Sequence, residues 1–288
     1  MISLLNTQQN LSISLLCKIA NVSKSGYYTW LNRKLSDEDV KLHNLIKYIF
    51  WKAKGKFGYR RITMELKRNY NLDINCKKVF RIMKKEGLKA VIRKKYNSNS
   101  HVIVQKKNET WTIAPNILNG NFNYDKSETI YSTDVTYLFL KNGKRFFLSA
   151  IKDLATGEIS AFSLSDKHNI DLILDTLNKL NPKENSILHS DRGALYTSFR
   201  YIQKLKEMKM TRSMSDAAKP TQNAPIESFF GHFKDEVEYK NCKNLKELKD
   251  KIDGYVYYYN TSRYQWNKKM LTPNEVKEYL DSYKCCPF

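Results

Sequence analysis

Apolar positions recur at helical spacing through the first third of the chain and change to strand spacing near residue 128. Over 37–53, Leu42, Leu45, Ile46, Ile49 and Phe50 follow a helical period behind the acidic start Asp37-Glu38-Asp39. Ahead of that helix, 13–32 reads as two short helices broken at Ala20-Asn21-Val22-Ser23, with Ser23 as cap of the second, over 24–31. That is helix-turn-helix spacing, although short helical pairs also occur in proteins that never touch DNA. Further helices are expected over 59–69 and 75–85, the latter ending at Gly87.

Between 89 and 123 the period is lost, and Asn97-Ser98-Asn99-Ser100 and Lys106-Lys107-Asn108 read as linker. Beyond it, strands are expected over 129–140, over 145–153 after the Asn142-Gly143 turn, and over 159–165 after Thr156-Gly157. A helix over 169–180, a short buried strand over 186–189, a helix over 198–208 and a strand over 210–214 complete the pattern. The economical fold is α/β, a mixed sheet with helices on its faces, preceded by an all-helical region. We divide the chain into a helix-turn-helix-like segment (1–36), a basic helical domain (37–95), a linker (96–123), an α/β core (124–240) and a helical C-terminal tail (241–288).

Composition narrows the partners. At 288 residues and 41% hydrophobic content the chain can bury more than one core. It has no stretch of roughly 18 uncharged apolar residues to span a membrane. Residues 1–16 lack a basic start and a small-residue cleavage site, so a cytoplasmic protein is expected. Five cysteines form no C-x-x-C pair, and the histidines do not approach them at ligand spacing, which argues against structural zinc and a disulfide framework. The formal charge of +21 is unevenly spread: 24 Lys and Arg face 6 Asp and Glu over 1–107, against 26 and 23 in the remainder. A concentrated cationic segment favours nucleic acid, ribosome or anionic membrane as partner; a solubility device is the alternative.

Three carboxylates stand out. Asp134 interrupts a run of strand formers in the expected first strand, where a charge is costly unless paired. Asp191 follows Ile187-Leu188 at the carboxyl end of the next strand, where open α/β sheets usually carry sites. Glu227 stands early in a helix announced by Asn223-Ala224-Pro225. Each alone reads as an ordinary ion-pair or capping group. Convergent carboxylates suit hard, oxygen-seeking cations such as Mg²⁺ or Mn²⁺, and two such ions suit phosphoryl transfer.

The blocks Tyr131–Tyr137 (YSTDVTY), His189–Tyr196 (HSDRGALY) and Asn223–Phe230 (NAPIESFF) resemble the catalytic blocks of OrfB-type insertion-sequence transposases of the DDE, retroviral-integrase-like superfamily. Thirty-five residues separate Asp191 from Glu227, the spacing of the D,D-35-E class. Phe57-Gly58-Tyr59-Arg60-Arg61-Ile62 is similar to that family's YGYRRI block, and Tyr259-Asn260-Thr261-Ser262-Arg263 with Thr272-Pro273 to its C-terminal block. Five blocks in order are far more specific than any one. The resemblance implies a ribonuclease-H-like integrase catalytic core behind a helix-turn-helix DNA-binding region. It further implies two Mg²⁺ or Mn²⁺ ions held by Asp134, Asp191 and Glu227, with nicking of element ends followed by strand transfer. Implied partners are double-stranded DNA, further copies of the chain on that DNA, and an upstream-frame protein or fusion. No membrane is involved, and the location is cytoplasmic, with the nucleoid. The stretch from Ser213 to Gln222 departs from the family's usual Lys-Gly-Asn-Cys-Tyr-Asp-like sequence, which bears on end or target preference.

Four further cations are candidate DNA contacts: Arg60, Arg61, Arg192 and Lys234. Lys234 lies seven residues after Glu227, on the same helix face, and reads either as a phosphate contact or as a solvated lysine. Arg192 either neutralises a phosphate or pairs with a neighbouring acid. Asp153 reads as turn chemistry, His189 as a satisfied structural histidine, and Tyr255, Tyr257, Tyr258 and Tyr259 with Trp266 as a packed seam rather than a base-stacking platform.

Overall fold

Residues 2–9, 11–32, 36–91, 113–122, 129–217 and 219–282 are described by a computed structural model. Most of the expected linker, including Asn97–Ser100 and Lys106–Asn108, lies outside the described residues, as do Cys285 and Cys286. Alternation of apolar and polar residues builds three hairpin-linked strands, β1 (Ile130–Phe139), β2 (Arg145–Asp153) and β3 (Ile159–Ser165). Two short strands follow, β4 (Ile187–Ser190) and β5 (Thr211–Met214). They form one sheet in the order β3-β2-β1-β4-β5, antiparallel across the first three and parallel from β1 through β4 to β5. The parallel half puts the carboxyl end of β4 beside the middle of β1.

Before the sheet come α1 (Ile2–Gln9), α2 (Ile13–Ile19), α3 (Lys24–Leu31), α4 (Asp37–Lys52), α5 (Tyr59–Tyr70) and α6 (Cys76–Lys85). Ser23 caps α3 through the Gly26 amide at 3.0 Å, and Ser36 caps α4 through the Asp39 amide at 3.1 Å. Helix α1 had no sequence signal. Helices α4 to α6 share their own core, including Ile46, Phe50, Ile62, Leu66, Val79 and Ile82. The outer side of α6 carries Lys77, Arg81, Lys84 and Lys85, all exposed.

Helices α7 (Ile170–Asn178) and α8 (Phe199–Glu207) cover one face of the sheet; α9 (Ala224–Glu236) and α10 (Leu245–Thr261) cover the other. The chain ends with α11 (Pro273–Ser282). Helix α10, read from sequence as tail, buries Leu248, Ile252, Tyr255 and Tyr259 in the same cluster as Leu148 and Phe229, so it is part of the core. Residues 113–122, read as linker, pack on the β5 edge: the Met214 amide donates to the Pro115 carbonyl at 3.3 Å and the Ile117 amide to Ser213 Oγ at 3.0 Å.

Glu236, at the end of α9, joins the helical domain to the core. It accepts Arg263 through Nη2 at 2.9 Å and Arg61 through Nη1 at 2.7 Å, while Lys56 Nζ donates to its carbonyl at 2.6 Å. Arg61 also donates to the Tyr258 hydroxyl at 2.5 Å and lies 3.8 Å over the Phe57 ring.

Candidate active site

Asp134 sits mid-strand on the face of β1 that α9 covers, opposite Ala150 of β2. Its parallel neighbour β4 pairs Ser132 with His189; extending that register two residues brings Asp191, just past the end of β4, level with Asp134. Both carboxylates therefore issue from adjacent parallel strands, at the place where this sheet changes from antiparallel to parallel.

Glu227 lies in the first turn of α9, where the helix dipole favours a negative charge. The helix is aimed by bonds on either side of Asp134. Asn223 Nδ2 donates to the Thr133 carbonyl at 3.1 Å, and Lys234 Nζ donates to Thr136 Oγ1 at 2.6 Å. Lys152 of β2 donates to the Pro225 carbonyl at 3.2 Å, and Ile226, Phe229, Phe230 and Phe233 bury the helix's apolar face.

The three acids feel one another. Burial raises the Asp134 carboxyl to about 7, with the charges of Asp191 and Glu227 adding to the rise and the Val135 amide and Lys234 opposing it. Burial and the charge of Asp191 likewise raise Glu227. The buried Tyr196 hydroxyl is pushed up by burial and then by Asp134. Among the described residues no three His, Cys, Asp or Glu side chains stand close enough to form a ready-made metal cage. The donor set still fits a hard divalent cation: it is all oxygen, and at the half-buried Asp134 the charge of Lys234 does not offset burial and two like charges.

Asp191 is held by its own turn. Its Oδ1 accepts the Gly193 amide at 2.9 Å, and a Cβ on Gly193 would stand 2.9 Å from that same oxygen. Arg192 is exposed but engaged, donating through Nε to the Ser215 carbonyl at 2.8 Å, with Asp216 Oδ1 3.7 Å from Nη2. His189 is fully buried with Ser213 Oγ at 2.8 Å from Nδ1 and Ser215 Oγ at 3.1 Å from Nε2, so it is a structural residue. Asp153 accepts the Ala155 and Thr156 amides at 2.7 and 3.1 Å, the turn role its sequence suggests.

The candidate DNA contacts divide. Lys234 lies within electrostatic reach of Asp134. Arg60 is exposed on α5, between the rings of Tyr59 and Trp266. Arg61, its neighbour, is turned inward to Glu236. The motif cannot distinguish the two, because a helical turn puts adjacent residues on different faces. Sequence reading missed Lys152, Asn223 and the exposed cations of α6; the period of α6 would have revealed the last.

A mixed sheet with one acid inside β1, a second just past the end of the parallel β4 and a third on the helix that covers them, behind a basic helical domain, defines an integrase-core protein with a helix-turn-helix-like partner domain. Accordingly, residues 36–96 match the HTH-like domain family, while 125–220 and 227–279 match two families described as integrase core domain. The protein InsK of insertion sequence element IS150 from Escherichia coli is 36% identical over 270 residues, covering 91% of this chain and 92% of that one. The transposase of insertion sequence element IS904 from Lactococcus lactis is 30% identical over 258 residues, covering 86% and 99%. The chain belongs to the insertion-sequence transposase family. Among solved structures, the HTLV-2 integrase catalytic core domain resembles 52% of this chain and 95% of its own length, at a TM-score of 0.42 and 18% identity.

Proposed function

We propose that the protein cuts the ends of an insertion element and joins them to new DNA, with Asp134, Asp191 and Glu227 as its catalytic carboxylates. The observation that carries this reading is that the charges of Asp191 and Glu227 reach Asp134, and that of Asp191 reaches Glu227, from two neighbouring strands and one docked helix. Carboxylates brought this near one another destabilise the charged fold unless a cation is shared among them.

Asp134, Asp191 and Glu227 would hold Mg²⁺ or Mn²⁺, two ions by the usual logic of such sites. When bound, the ions supply charge for the attacking and leaving oxygens of a phosphodiester. In the first step a water oxygen attacks phosphorus, the bond to the 3′ oxygen breaks, and that oxygen leaves with the bonding pair and takes up a proton. In the second, the freed 3′ hydroxyl loses its proton and attacks a target phosphodiester, whose own 3′ oxygen departs. The chain's residues orient these groups. The Gly193 amide fixes Asp191, Asn223 and Lys152 fix the start of α9, and Lys234 offers positive charge beside Asp134. Arg60, Arg192 and the α6 cations contact backbone phosphates, whereas Arg61 acts by holding the helical domain to the core.

Joining requires two DNA segments at one site, so at least a dimer assembled on DNA is expected, with an upstream-frame partner or fusion as a further component. The cytoplasm, at the nucleoid, is the matching location. The test is cleavage of the element's own terminus in Mg²⁺ by Asp134→Asn, Asp191→Asn and Glu227→Gln. Each lowers cleavage by about 10³-fold or more, with folding and DNA affinity retained. Near wild-type cutting by two of the three refutes the assignment.

A further inference from the structure

On the flank of α9, the helix that carries Glu227, lies a cavity of about 500 Å³ walled by α5, the β2–β3 turn, the start of α9 and the segment after α10. Ser228, which follows Glu227, is part of its wall. Five cations line it: Arg60, Arg61, Lys152, Arg263 and Lys268. Arg61 and Arg263 share Glu236. Among the described residues Lys152 and Lys268 form no ion pair with a carboxylate: the first donates to the Pro225 carbonyl and the Tyr259 hydroxyl, the second to the Leu154 and Ala155 carbonyls. Asp153 acts on Lys268 only at a distance. His232, another wall residue, has its imidazole driven down to about 3 by burial first, with Arg263 adding to the shift and Glu236 opposing it.

Lys152 is buried and Lys268 half-buried, and ammonium groups that meet only neutral oxygens favour an anion beside them. Aromatic surface accompanies them: Trp266, read from sequence as part of a packed seam, instead stands at the rim, 38% exposed, with Arg60 5.9 Å from its ring. Gln265, 8% exposed, leaves its buried amide Nε2 without a hydrogen-bond partner at the wall, and Gly157 is bare because a Cβ there would meet the Gln265 side chain at 2.8 Å. An anion site, a stacking ring and an unsatisfied donor form a set that suits a nucleotide. The volume falls within the roughly 300–1,000 Å³ of pockets that enclose one small ligand, and excludes a duplex.

We infer that this cavity receives one unpaired nucleotide of the DNA strand running past Glu227, its phosphate between Lys152, Lys268 and Arg60 and its base on Trp266. The inference rests on the function proposed above, and deepens it: the DNA terminus is bound with its end frayed.

The test reads binding alone, on the full chain carrying Asp134→Asn, so that its result does not depend on whether the carboxylates cut. The probe is a duplex of the element's terminus carrying a short single-stranded tail with 2-aminopurine as the unpaired base, compared with the blunt duplex at equal salt. The tail tightens binding about tenfold and its fluorescence is quenched. Adding Trp266→Ala abolishes the quenching and the preference while blunt-duplex affinity changes less and melting is unaltered; adding Arg60→Gln weakens binding of both duplexes, the tailed one more. Equal affinity for tailed and blunt duplexes, or quenching that survives Trp266→Ala, overturns the inference. Free deoxynucleoside monophosphate displacing the tail as well as a tailed strand does overturns it too, by making the ligand a free nucleotide.

Discussion

Replacing Glu236 by Gln removes a buried charge that helps hold the helical domain to the core. The carboxylate is 12% exposed; it faces Arg263, 7% exposed, through Nη2 at 2.9 Å, and Arg61, 15% exposed, through Nη1 at 2.7 Å. The Tyr255 hydroxyl donates to its other oxygen at 3.2 Å. The amide keeps the volume and one acceptor but leaves two buried guanidinium groups uncompensated. Removing one partner of such a pair costs about 3–5 kcal/mol, and the retained acceptor places this variant near the lower figure. Burial pushes the Glu236 carboxyl up, but Arg263 and Arg61 more than offset it and hold it below its ordinary 4.5. A depressed acid contributes stability that is present above the ordinary value and lost as pH falls through the folded one. Wild type therefore loses stability below about pH 4.5, in a window where the variant's curve is flatter. Urea unfolding followed by fluorescence and circular dichroism at several pH values reads both effects. A loss under about 0.5 kcal/mol at pH 7, or equal acid slopes, refutes the clamp.

Gly193→Ala sets a methyl 2.9 Å from Asp191 Oδ1, the end of a side chain able to yield, so stability holds while cleavage falls about 10–100-fold. Unchanged cleavage contradicts the placement of Asp191. For Asp134, whose carboxyl is raised to about 7 by burial and Asp191, the ionised form is penalised as pH rises through that range. Metal-free wild type thus melts lower at pH 8 than at pH 5.5 by more than Asp134→Asn does, and Mg²⁺ raises the melting point of wild type alone. Double substitution of Lys77 and Arg81 by Gln on α6 weakens duplex binding and lowers the slope of log affinity against log salt by about 2, read by fluorescence anisotropy. An unchanged slope removes α6 from the DNA interface.

Much of the site is legible as sequence because its acids break local rules: a charge inside a strand, an acid at a strand's carboxyl end, a Pro-led helix start. Helical and strand periods likewise recover β1 to β3 and α4 to α6, whose apolar faces are long. What the pattern cannot state is which element covers a face. Helix α10 reads as tail because its amphipathic stripe would suit any partner, yet it packs on α9. Lys152 has no signal in the sequence; only the fold brings the Pro225 carbonyl and Tyr259 to it. Arg61 reads as a DNA contact because its partner, Glu236, stands 175 positions away. Parallel pairing of β1 with β4, which levels Asp191 with Asp134, spans the whole of β2, β3 and α7 and has no local signature.

The central claim is that one carboxylate site both frees a 3′ hydroxyl and uses it. The most direct measurement incubates the protein, Mg²⁺ and a pre-cut duplex of the element's terminus with unlabelled target DNA, and compares a 3′ hydroxyl end with a 3′ dideoxy end. Covalently joined product forms with the hydroxyl end, is lost with the dideoxy end, and is lost with Asp134→Asn. Hydrolysis of the uncut terminus without any joined product, in a complex shown to be assembled, would contradict the account and leave a nuclease of the same fold.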